Sequence, residues 1–260
     1  MIDTHCHLDV PRFDSDRDAV LARAIAAGVS GILVPAIRPA TWQRLIEMVR
    51  DWTIVRIALG VHPQIVPELE DGEVGDLATQ IIEATTATGS LAVAVGECGL
   101  DGATEEHERQ ERLFRAHIRA ARELKLPLLV HVLRAHDVAP RILREEKAQE
   151  VGGVMHSYSG GAALVPIYRD LGMAFSFAGP VTYPNARKPL EAVRVVPDEL
   201  LLAETDAPDQ APASHRGERS EPAYVGEVIA GLAVARHTSP EAIAELTTTN
   251  ARRLFRFTRS

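Results

Sequence analysis

Residues 106–132 have the sequence EHERQERLFRAHIRAARELKLPLLVHV, which contains the structural unit that repeats along the chain. The first part of this stretch carries apolar side chains at spacings of three and four residues, with Glu and Arg on the remaining face. The apolar positions are Leu113, Phe114, Ile118, Ala121 and Leu124. This periodicity predicts an amphipathic helix over 106–124. The run LPLLVHV at 126–132 then predicts a short buried strand, so a helix leads directly into a strand.

The same alternation extends along the whole chain. Counting an opening strand framed by Ile2 and Leu8, eight short apolar runs alternate with longer amphipathic stretches. The other runs are GILVPA (31–36), TIVRIALG (53–60), LAVAVGE (91–97), LPLLVHV (126–132), GGVMH (152–156), GMAFSFAG (172–179) and LLLAE (200–204). Near the end of the chain, Ser239 and Pro240 predict a helix start.

Eight strands alternating with helices predict a (β/α)8 TIM barrel. A doubly wound open sheet is the alternative, but no G-x-G-x-x-G motif follows the first strand. The chain has no low-complexity tract or flexible linker. We therefore expect a single domain over residues 1–260.

Composition limits the classes of function. A hydrophobic content of 46% excludes a disordered chain, and a net charge of −8 argues against a protein that coats nucleic acid. No apolar run reaches the roughly 18 residues of a membrane helix, and the first residues lack the features of a signal peptide. The two cysteines, Cys6 and Cys98, are too few for a disulfide framework. We expect a cytoplasmic protein without a membrane partner.

Polar side chains of an unusual kind fall at or just after the predicted strand ends. They are His5, His7, His62, Glu97, His131, His156 and Asp206. In a barrel, the carboxyl ends of all strands meet at one mouth, where active sites lie. His5 and His7 are two residues apart and would share one face of an extended strand. Imidazoles and carboxylates at the ends of buried strands are costly unless they are paired or bind metal.

Each of these residues has another interpretation when taken singly. Glu97 could cap a helix, and His131 could be a hydrogen-bonded histidine of the core. Asp206 could form a turn before Pro208. Taken together, the set favours a metal site, because neutral imidazole is the commonest protein ligand for metals.

The stretches that carry these residues resemble the TatD family of metal-dependent hydrolases, many of which are deoxyribonucleases, and most closely its YjjV-like branch. The resemblance runs from about Ile2 to Phe255. The matching stretches are IDTHCHLD, GVHP, GECGLD, LPLLVHVLRAHD, GVMHSYSG, PVTYPNA and LLAETDAPD. The resemblance implies an amidohydrolase-like TIM barrel with two divalent metal ions.

The resemblance also implies a ligand set for the two ions. The ligands would be His5, His7, Glu97, His131, His156 and Asp206. The first two histidines match the ligands of one ion, and the last two histidines match those of the other. Glu97 matches the bridging carboxylate, and Asp206 matches the ligand that also takes the proton of the attacking water. Glu97 and Asp206 are thus the predicted catalytic residues.

Five further residues are candidates for binding substrate. They are His62, Arg134, His136, Tyr158 and Arg219. Arginine suits phosphate because its planar fork donates two hydrogen bonds. Arg219 could instead form a structural ion pair, and Tyr158 could pack at the rim of the barrel. The chain also departs from the family pattern, since Val132 and Leu133 separate His131 from Arg134, and Ser220 replaces an Asn.

The predicted function is the hydrolysis of DNA phosphodiester bonds by a metal-activated water, most simply as a 3′→5′ exonuclease on single-stranded ends. The alternative is a hydrolase of a small ester, amide or aminoacyl bond that uses the same two-metal site. The four imidazoles favour Zn²⁺, Mn²⁺ or Fe²⁺ over Mg²⁺ by ligand softness, whereas nucleases of this family are usually run with Mg²⁺ or Mn²⁺. We expect DNA as the partner and a monomer or a weak oligomer.

Overall fold

The computed structural model describes residues 1–257. Eight strands lie in or next to the apolar runs, and most of their side chains are buried. The strands are β1 (Ile2–Asp3), β2 (Gly31–Pro35), β3 (Val55–Leu59), β4 (Ala92–Asp101), β5 (Leu128–Leu133), β6 (Gly153–Met155), β7 (Met173–Phe177) and β8 (Leu201–Ala203).

At least one α-helix follows each strand. The helices are α1 (Arg17–Ala26), α2 (Pro39–Val49), α3 (Leu77–Ala87), α4 (His107–Leu124), α5 (Ala139–Glu145), α6 (Val165–Asp170), α7 (Arg187–Val195), α8 (Val225–Arg236) and α9 (Pro240–Phe255). Within residues 1–257, no helix combines the length and the apolarity needed to cross a membrane.

The eight strands belong to one sheet, in which they follow the order β1 to β8. Parallel pairings join β1 to β2, β3 to β4, β4 to β5, β5 to β6, and β7 to β8. Strands in chain order with helical crossovers between them are the architecture of a (β/α)8 TIM barrel. The predicted fold class is confirmed.

The chain comprises two compact units. The first comprises Met1–Val34, Ser157–Pro166 and the chain from Ala174 onward, and it contains the β1–β2 and β7–β8 pairings. The second comprises Pro35–His156 and Ile167–Met173, and it contains β3, β4, β5 and β6. The expectation of a single domain over the full length stays a prediction.

The predicted helices form because one face of each is apolar. In α4, Leu113, Phe114 and Ile118 are buried, whereas Arg112 and Arg119 on the other face are exposed. The burial of that face stabilises the helix. The predicted start of the last helix is also confirmed, since the Ser239 hydroxyl accepts a hydrogen bond from Ala242 N at 3.2 Å.

Two strands end at positions that differ from the sequence-based expectation. Strand β1 ends at Asp3, so His5 and His7 follow the strand instead of lying in it. Strand β4 continues past the end of the apolar run at Glu97 and reaches Asp101. Apolar periodicity could not mark this end, because residues 98–101 are paired with β5 although they include a glycine and a carboxylate.

Candidate functional site

The second unit gathers three imidazoles around one carboxylate oxygen, and we call these four residues the Glu97 cluster. Its members are His62, Glu97, His131 and His156. Glu97 Oε1 lies 3.0 Å from His62 Nε2, 3.1 Å from His131 Nδ1 and 2.7 Å from His156 Nε2. His131 Nδ1 and His156 Nε2 are 3.1 Å apart. Glu97 is fully buried, so its charge is stabilised by these neighbours instead of by water.

A bulge in β4 directs Glu97 into this cluster. The pairing of β4 with β5 shifts in register between Gly96 and Cys98, which leaves Glu97 outside the ladder. Bulges of this kind re-aim a side chain next to a functional site. Gly99 lets the two strands approach closely, because its φ is +140° and a Cβ there would lie 1.9 Å from the His131 carbonyl oxygen.

Asp101 supports the other side of the His131 ring. Its Oδ2 lies 3.4 Å from His131 Nε2 and accepts a hydrogen bond from Gln64 Nε2 at 2.7 Å. Burial alone would raise the pKa of Asp101, but hydrogen bonds from His131, Ala103 and Gln64 outweigh it and hold this pKa well below its usual value. A carboxylate behind a ligand histidine fixes the tautomer and the ring orientation.

The pKa of His131 is shifted by the same neighbours. Burial disfavours the charged imidazolium, but the hydrogen bonds to Asp101 and Glu97 outweigh that effect and raise the pKa of His131. The two carboxylates beside this ring therefore favour a positive charge on it.

The first unit brings together a second group, which we call the Asp206 cluster. It consists of His5, His7 and Asp206. The Nε2 atoms of the two histidines are 3.1 Å apart, and Asp206 Oδ1 lies 3.6 Å from His5 Nε2 and 3.8 Å from His7 Nε2. The rings meet edge to face, with 4.8 Å between their centroids. The two histidines thus converge as the i, i+2 spacing indicates, although they lie beyond the end of β1.

Backbone hydrogen bonds hold these segments in place after the strands have ended. Asp206 N donates to His5 O at 2.9 Å, and His7 N donates to Ala207 O at 2.7 Å. Cys6 forms an isolated parallel bridge with Ala207. Asp206 has a φ of +52°, an uncommon conformation for a residue with a side chain.

Asp3 stabilises the same segments from the buried side. Its Oδ1 accepts from His5 N at 3.3 Å and from Thr205 N at 2.9 Å, and its Oδ2 accepts from the Thr205 hydroxyl at 2.6 Å. Burial raises the pKa of Asp3 to about 8, against the opposing effect of these hydrogen bonds. Asp3 thereby fixes the residue before Asp206 and the backbone of His5.

Two of the predicted substrate-binding residues lie in the second unit near His131. Arg134 is exposed and lines a cavity of about 280 Å³ together with Asp101, His107 and Asp137. His136 is half-buried, and its Nδ1 lies 2.8 Å from the Tyr168 hydroxyl. The third residue, His62, belongs to the Glu97 cluster. Its Nε2 atom contacts Glu97 Oε1, and its contact with substrate stays a prediction.

Tyr158 and Arg219 lie in the first unit and contact other protein groups. Tyr158 is only 3% exposed and packs edge to face against Phe175, with 5.0 Å between the ring centroids. Arg219 forms a two-pronged ion pair with Asp16 at 2.8 and 2.7 Å and also contacts Glu221 at 2.9 Å. These are the packing and ion-pair roles that the sequence left open for them.

The chain matches the family model described as TatD related DNase over residues 2–256. The chain belongs to this family. It is 37% identical to the uncharacterized metal-dependent hydrolase YabD of Bacillus subtilis over 258 residues, which cover 98% of this chain and 99% of YabD. It is also 37% identical to the uncharacterized metal-dependent hydrolase YcfH of Escherichia coli, with 98% and 95% covered.

A solved structure agrees with this placement. The crystal structure of YjjV, a TatD homologue from Escherichia coli, superimposes with a TM-score of 0.91 at 32% identity and covers 98% of both chains. The resemblance to the TatD family predicted from the motifs is therefore confirmed. Membership of the TatD family identifies the chain as a metal-dependent hydrolase.

The donor atoms of both clusters suit the divalent ions that TatD hydrolases depend on. Donors that share one ion at about 2.1 Å lie roughly 3.0–3.4 Å apart in octahedral or tetrahedral geometry. The imidazole pairs match this range, since His131 Nδ1 and His156 Nε2 are 3.1 Å apart and so are His5 Nε2 and His7 Nε2. The carboxylate oxygens lie 2.7–3.1 Å from the imidazoles in the Glu97 cluster and 3.6 and 3.8 Å from them in the Asp206 cluster. Imidazole nitrogens together with carboxylate oxygens suit zinc, manganese and iron.

Several residues that support these TatD clusters were not among the sequence-based candidates. They are Asp3, Asp101, Ser157, Glu204 and Gln210. Asp3 and Asp101 fall inside the motifs IDTHCHLD and GECGLD, so a carboxylate beside a predicted ligand was the available signal. Gln210 and Ser157 offer no such signal, because their contact joins residues 53 positions apart.

Proposed function

We propose that the chain hydrolyses DNA phosphodiester bonds as a 3′→5′ exonuclease that acts on single-stranded ends. The observation that carries this proposal is the pair of imidazole–carboxylate clusters in a chain that matches the TatD related DNase model over nearly its whole length. We propose two divalent ions, one held by His5 and His7 and the other by His131 and His156. Glu97 would be the carboxylate shared between them, as in the family pattern.

The ions would lower the pKa of a water molecule and neutralise charge on the phosphodiester, which is the chemistry that a two-metal site supplies. Asp206 would accept the proton of the attacking water through Oδ1, the oxygen that faces His5 and His7. A general base must lie within hydrogen-bond reach of that proton, and the position of Asp206 beside the two imidazoles supports this role.

A covalent mechanism through a cysteine finds no support in the structure. Cys6 and Cys98 are both fully buried, and burial raises the pKa of each thiol. The reactive form of cysteine is the thiolate, so both side chains are poor nucleophiles. Attack by water is therefore the proposed route.

On the substrate side, we propose that Arg134 binds a phosphate next to the scissile bond. Its guanidinium is exposed and lines the cavity beside Asp101. His62 and His136 are the other proposed substrate contacts. Arg219 is kept as a weaker candidate because its donors already bind Asp16 and Glu221.

A nuclease assay on metal-reconstituted protein tests the function. The protein is stripped with a chelator, loaded separately with Mn²⁺, Zn²⁺ or Mg²⁺, and given single-stranded oligonucleotides labelled at the 3′ or the 5′ end. We expect immediate release of the 3′ label as a mononucleotide, progressive shortening of the 5′-labelled strand, and loss of both with EDTA. Metal analysis of the loaded protein should find close to two ions per chain.

The same assay identifies the alternative. A panel of small esters, amides and aminoacyl compounds is tested with the same preparations. Turnover of the panel with an intact oligonucleotide would assign the site to small substrates. Label release that persists in EDTA, or a metal content below one per chain, would contradict the two-metal proposal.

A further inference from the structure

Asp206 has a second partner on the side opposite the histidines. Its Oδ2 accepts a hydrogen bond from the side-chain amide of Gln210, while its Oδ1 faces the Nε2 atoms of His5 and His7. An ionised carboxylate only accepts hydrogen bonds, so the Gln210 amide must turn its Nε2 toward Asp206. The two oxygens of Asp206 therefore have separate environments.

The amide of Gln210 is itself held by Ser157. Ser157 Oγ lies 2.7 Å from Gln210 Nε2 and 2.9 Å from Gln210 Oε1. Ser157 N in turn donates to Glu204 Oε1 at 2.6 Å, and the Ser176 hydroxyl donates to the other oxygen of Glu204. Glu204 and Ser176 are fully buried, so this hydrogen-bonded chain begins in the core and ends at Asp206.

Three residues of this hydrogen-bonded chain have a strained backbone conformation. Ser157, Asp206 and Gln210 have φ values of +41°, +52° and +50°. This region of φ is uncommon for residues other than glycine, and neither Ser nor Gln is among the types that favour it. Such conformations persist only where the surroundings enforce them, and they cluster at functional sites.

The segment that carries Gln210 is fixed by its own contacts. The Gln210 carbonyl lies against Gly179, where a Cβ would come within 1.9 Å of it. The Tyr183 hydroxyl donates to Ala211 O at 2.7 Å, and Asp209 N donates to Asp206 O at 3.0 Å. These contacts fix the backbone from which the Gln210 amide reaches Asp206.

We propose that Gln210 is a positioning residue for Asp206. Its amide fixes the rotation of the carboxylate so that Oδ1 stays directed at the two imidazoles. A carboxylate without this contact can rotate about its Cβ–Cγ bond and present either oxygen, which weakens its hold on an ion and its alignment with the attacking water. This inference rests on the proposed function for its kinetic part and on the proposed ion at His5 and His7 for its binding part.

Two substitutions at Gln210 and one matched control test the proposal. Gln210→Met keeps the length of the side chain and removes the amide. Gln210→Asn keeps the amide and suits a positive φ, but it is one methylene too short to reach Asp206. Gln43→Met is the control, because Gln43 also donates to a carboxylate, Glu47 at 2.6 Å, on the exposed face of α2.

The first measurement is Mn²⁺ binding by isothermal titration calorimetry, which needs no catalytic activity. We expect both Gln210 variants to bind the ion of the Asp206 cluster about 10- to 100-fold more weakly than wild type, the usual effect of removing a group behind a metal ligand. The control should match wild type. Thermal melting of the same samples identifies any variant that is not folded.

The second measurement is the kinetics of oligonucleotide hydrolysis. A positioning role predicts that kcat falls while KM stays within about twofold, since the amide does not touch the substrate. Wild-type Mn²⁺ affinity and wild-type kcat in Gln210→Asn, the variant that suits the backbone best, would overturn the proposal. So would a rise in KM alone, which would make Gln210 a substrate contact.

The two measurements separate this inference from the proposed function. If wild type does not cleave DNA but the Gln210 variants lose Mn²⁺ affinity, the nuclease proposal fails and the positioning role stands. If wild type cleaves DNA and the folded Gln210 variants behave like Gln43→Met, the positioning role fails and the nuclease proposal stands.

Discussion

Glu97 and His131 project from paired strands, whereas His5, His7 and Asp206 project from segments that follow strands. In the Glu97 cluster, the ladder between β4 and β5 places His131, and a bulge in that ladder aims Glu97. The other two members, His62 and His156, follow the ends of β3 and β6. In the Asp206 cluster, the strands have ended, and single backbone hydrogen bonds together with two side chains hold the segments. Asp3 accepts hydrogen bonds from His5 N and Thr205 N, and Gln210 donates one to Asp206.

This difference predicts which supporting side chains each cluster depends on. A strand residue keeps its backbone position when a neighbouring side chain is changed, because the ladder is made by the backbone. A ligand on a loop depends on the side chains that fix the loop, and loops have lower local stability. We therefore expect supporting substitutions to matter more for the Asp206 cluster than for the Glu97 cluster.

The largest effects should come from the two central carboxylates. Glu97→Gln removes the charge that three imidazoles face, and Asp206→Asn removes the proposed proton acceptor. We expect each to lower kcat by at least about 100-fold, because metal binding or proton transfer is lost. Steady-state kinetics on the 3′-labelled oligonucleotide, together with metal analysis, measures both effects.

Cys98→Ser is the matched control for Glu97→Gln. Cys98 is the next residue in β4, is fully buried and contacts Leu129 O at 3.5 Å, a contact that a serine hydroxyl can also make. We expect near wild-type kcat and metal content. Wild-type turnover in Asp206→Asn with both metals bound would assign the proton transfer to another residue.

Substitutions of Asp3 and Asp101, the carboxylates that support the proposed ligands, should have an intermediate effect on metal affinity. They test directly the comparison between the Asp206 cluster and the Glu97 cluster. Asp3→Asn removes the oxygen that accepts from the Thr205 hydroxyl, on the side chain that also holds His5 N and Thr205 N. Asp101→Asn alters the support of the His131 ring and the contact with Gln64. We expect Mn²⁺ affinity to fall within the range of about 10- to 100-fold for Asp3→Asn and less for Asp101→Asn. Calorimetric titration of both variants gives the order.

The losses of Mn²⁺ affinity in Asp3→Asn and Asp101→Asn can be compared directly, because the two substitutions are of the same kind. Both changes replace a buried carboxylate with an amide of the same shape, so differences in packing are small. An equal or larger loss in Asp101→Asn would show that the strand ladder does not protect the Glu97 cluster. The distinction between strand-held and loop-held ligands would then be wrong.

Much of the fold follows from local patterns in the sequence. The periodicity of residues 106–124 and the runs that became β2, β3 and β5 report burial on one face, which depends on neighbours close in the chain. The ends of β1 and β4 could not be read in this way. They depend on pairing with other strands and on the bulge at Glu97, which no local pattern encodes.

The residues of the candidate site also differ in how well local sequence patterns predict them. The convergence of His5 and His7 follows from a spacing of two residues, and the motifs predicted the two carboxylates of the clusters. Gln210 was missed although Asp206 is only four positions away, because a glutamine near a predicted ligand forms no distinctive motif and its other partner, Ser157, is 53 positions away. One partner of Arg219, Glu221, is two residues away, but the other, Asp16, is more than 200 residues distant in the chain. The sequence could therefore only pose the choice between a substrate contact and an ion pair.

The smallest effects concern two arginines that the sequence treated alike. Arg134 is exposed beside a cavity in the second unit, and among residues 1–257 no carboxylate forms an ion pair with it. Arg219, in the first unit, is bound to Asp16 and Glu221 and lies over the Phe13 ring at 4.6 Å. We expect Arg134→Ala to raise KM a few-fold with little change in kcat, as for loss of uniform binding.

The salt dependence of DNA binding distinguishes the roles of Arg134 and Arg219 more clearly. For single strands, the slope of log affinity against log salt is about −0.7 for each phosphate neutralised, so two or three contacts give about −1.5 to −2. Arg134→Ala should make the slope less steep by about 0.7, whereas Arg219→Ala should keep the slope and lower the melting temperature. Because the net charge is −8, the chain offers no general attraction for DNA. A wild-type slope near about −6 would instead require an extended basic track.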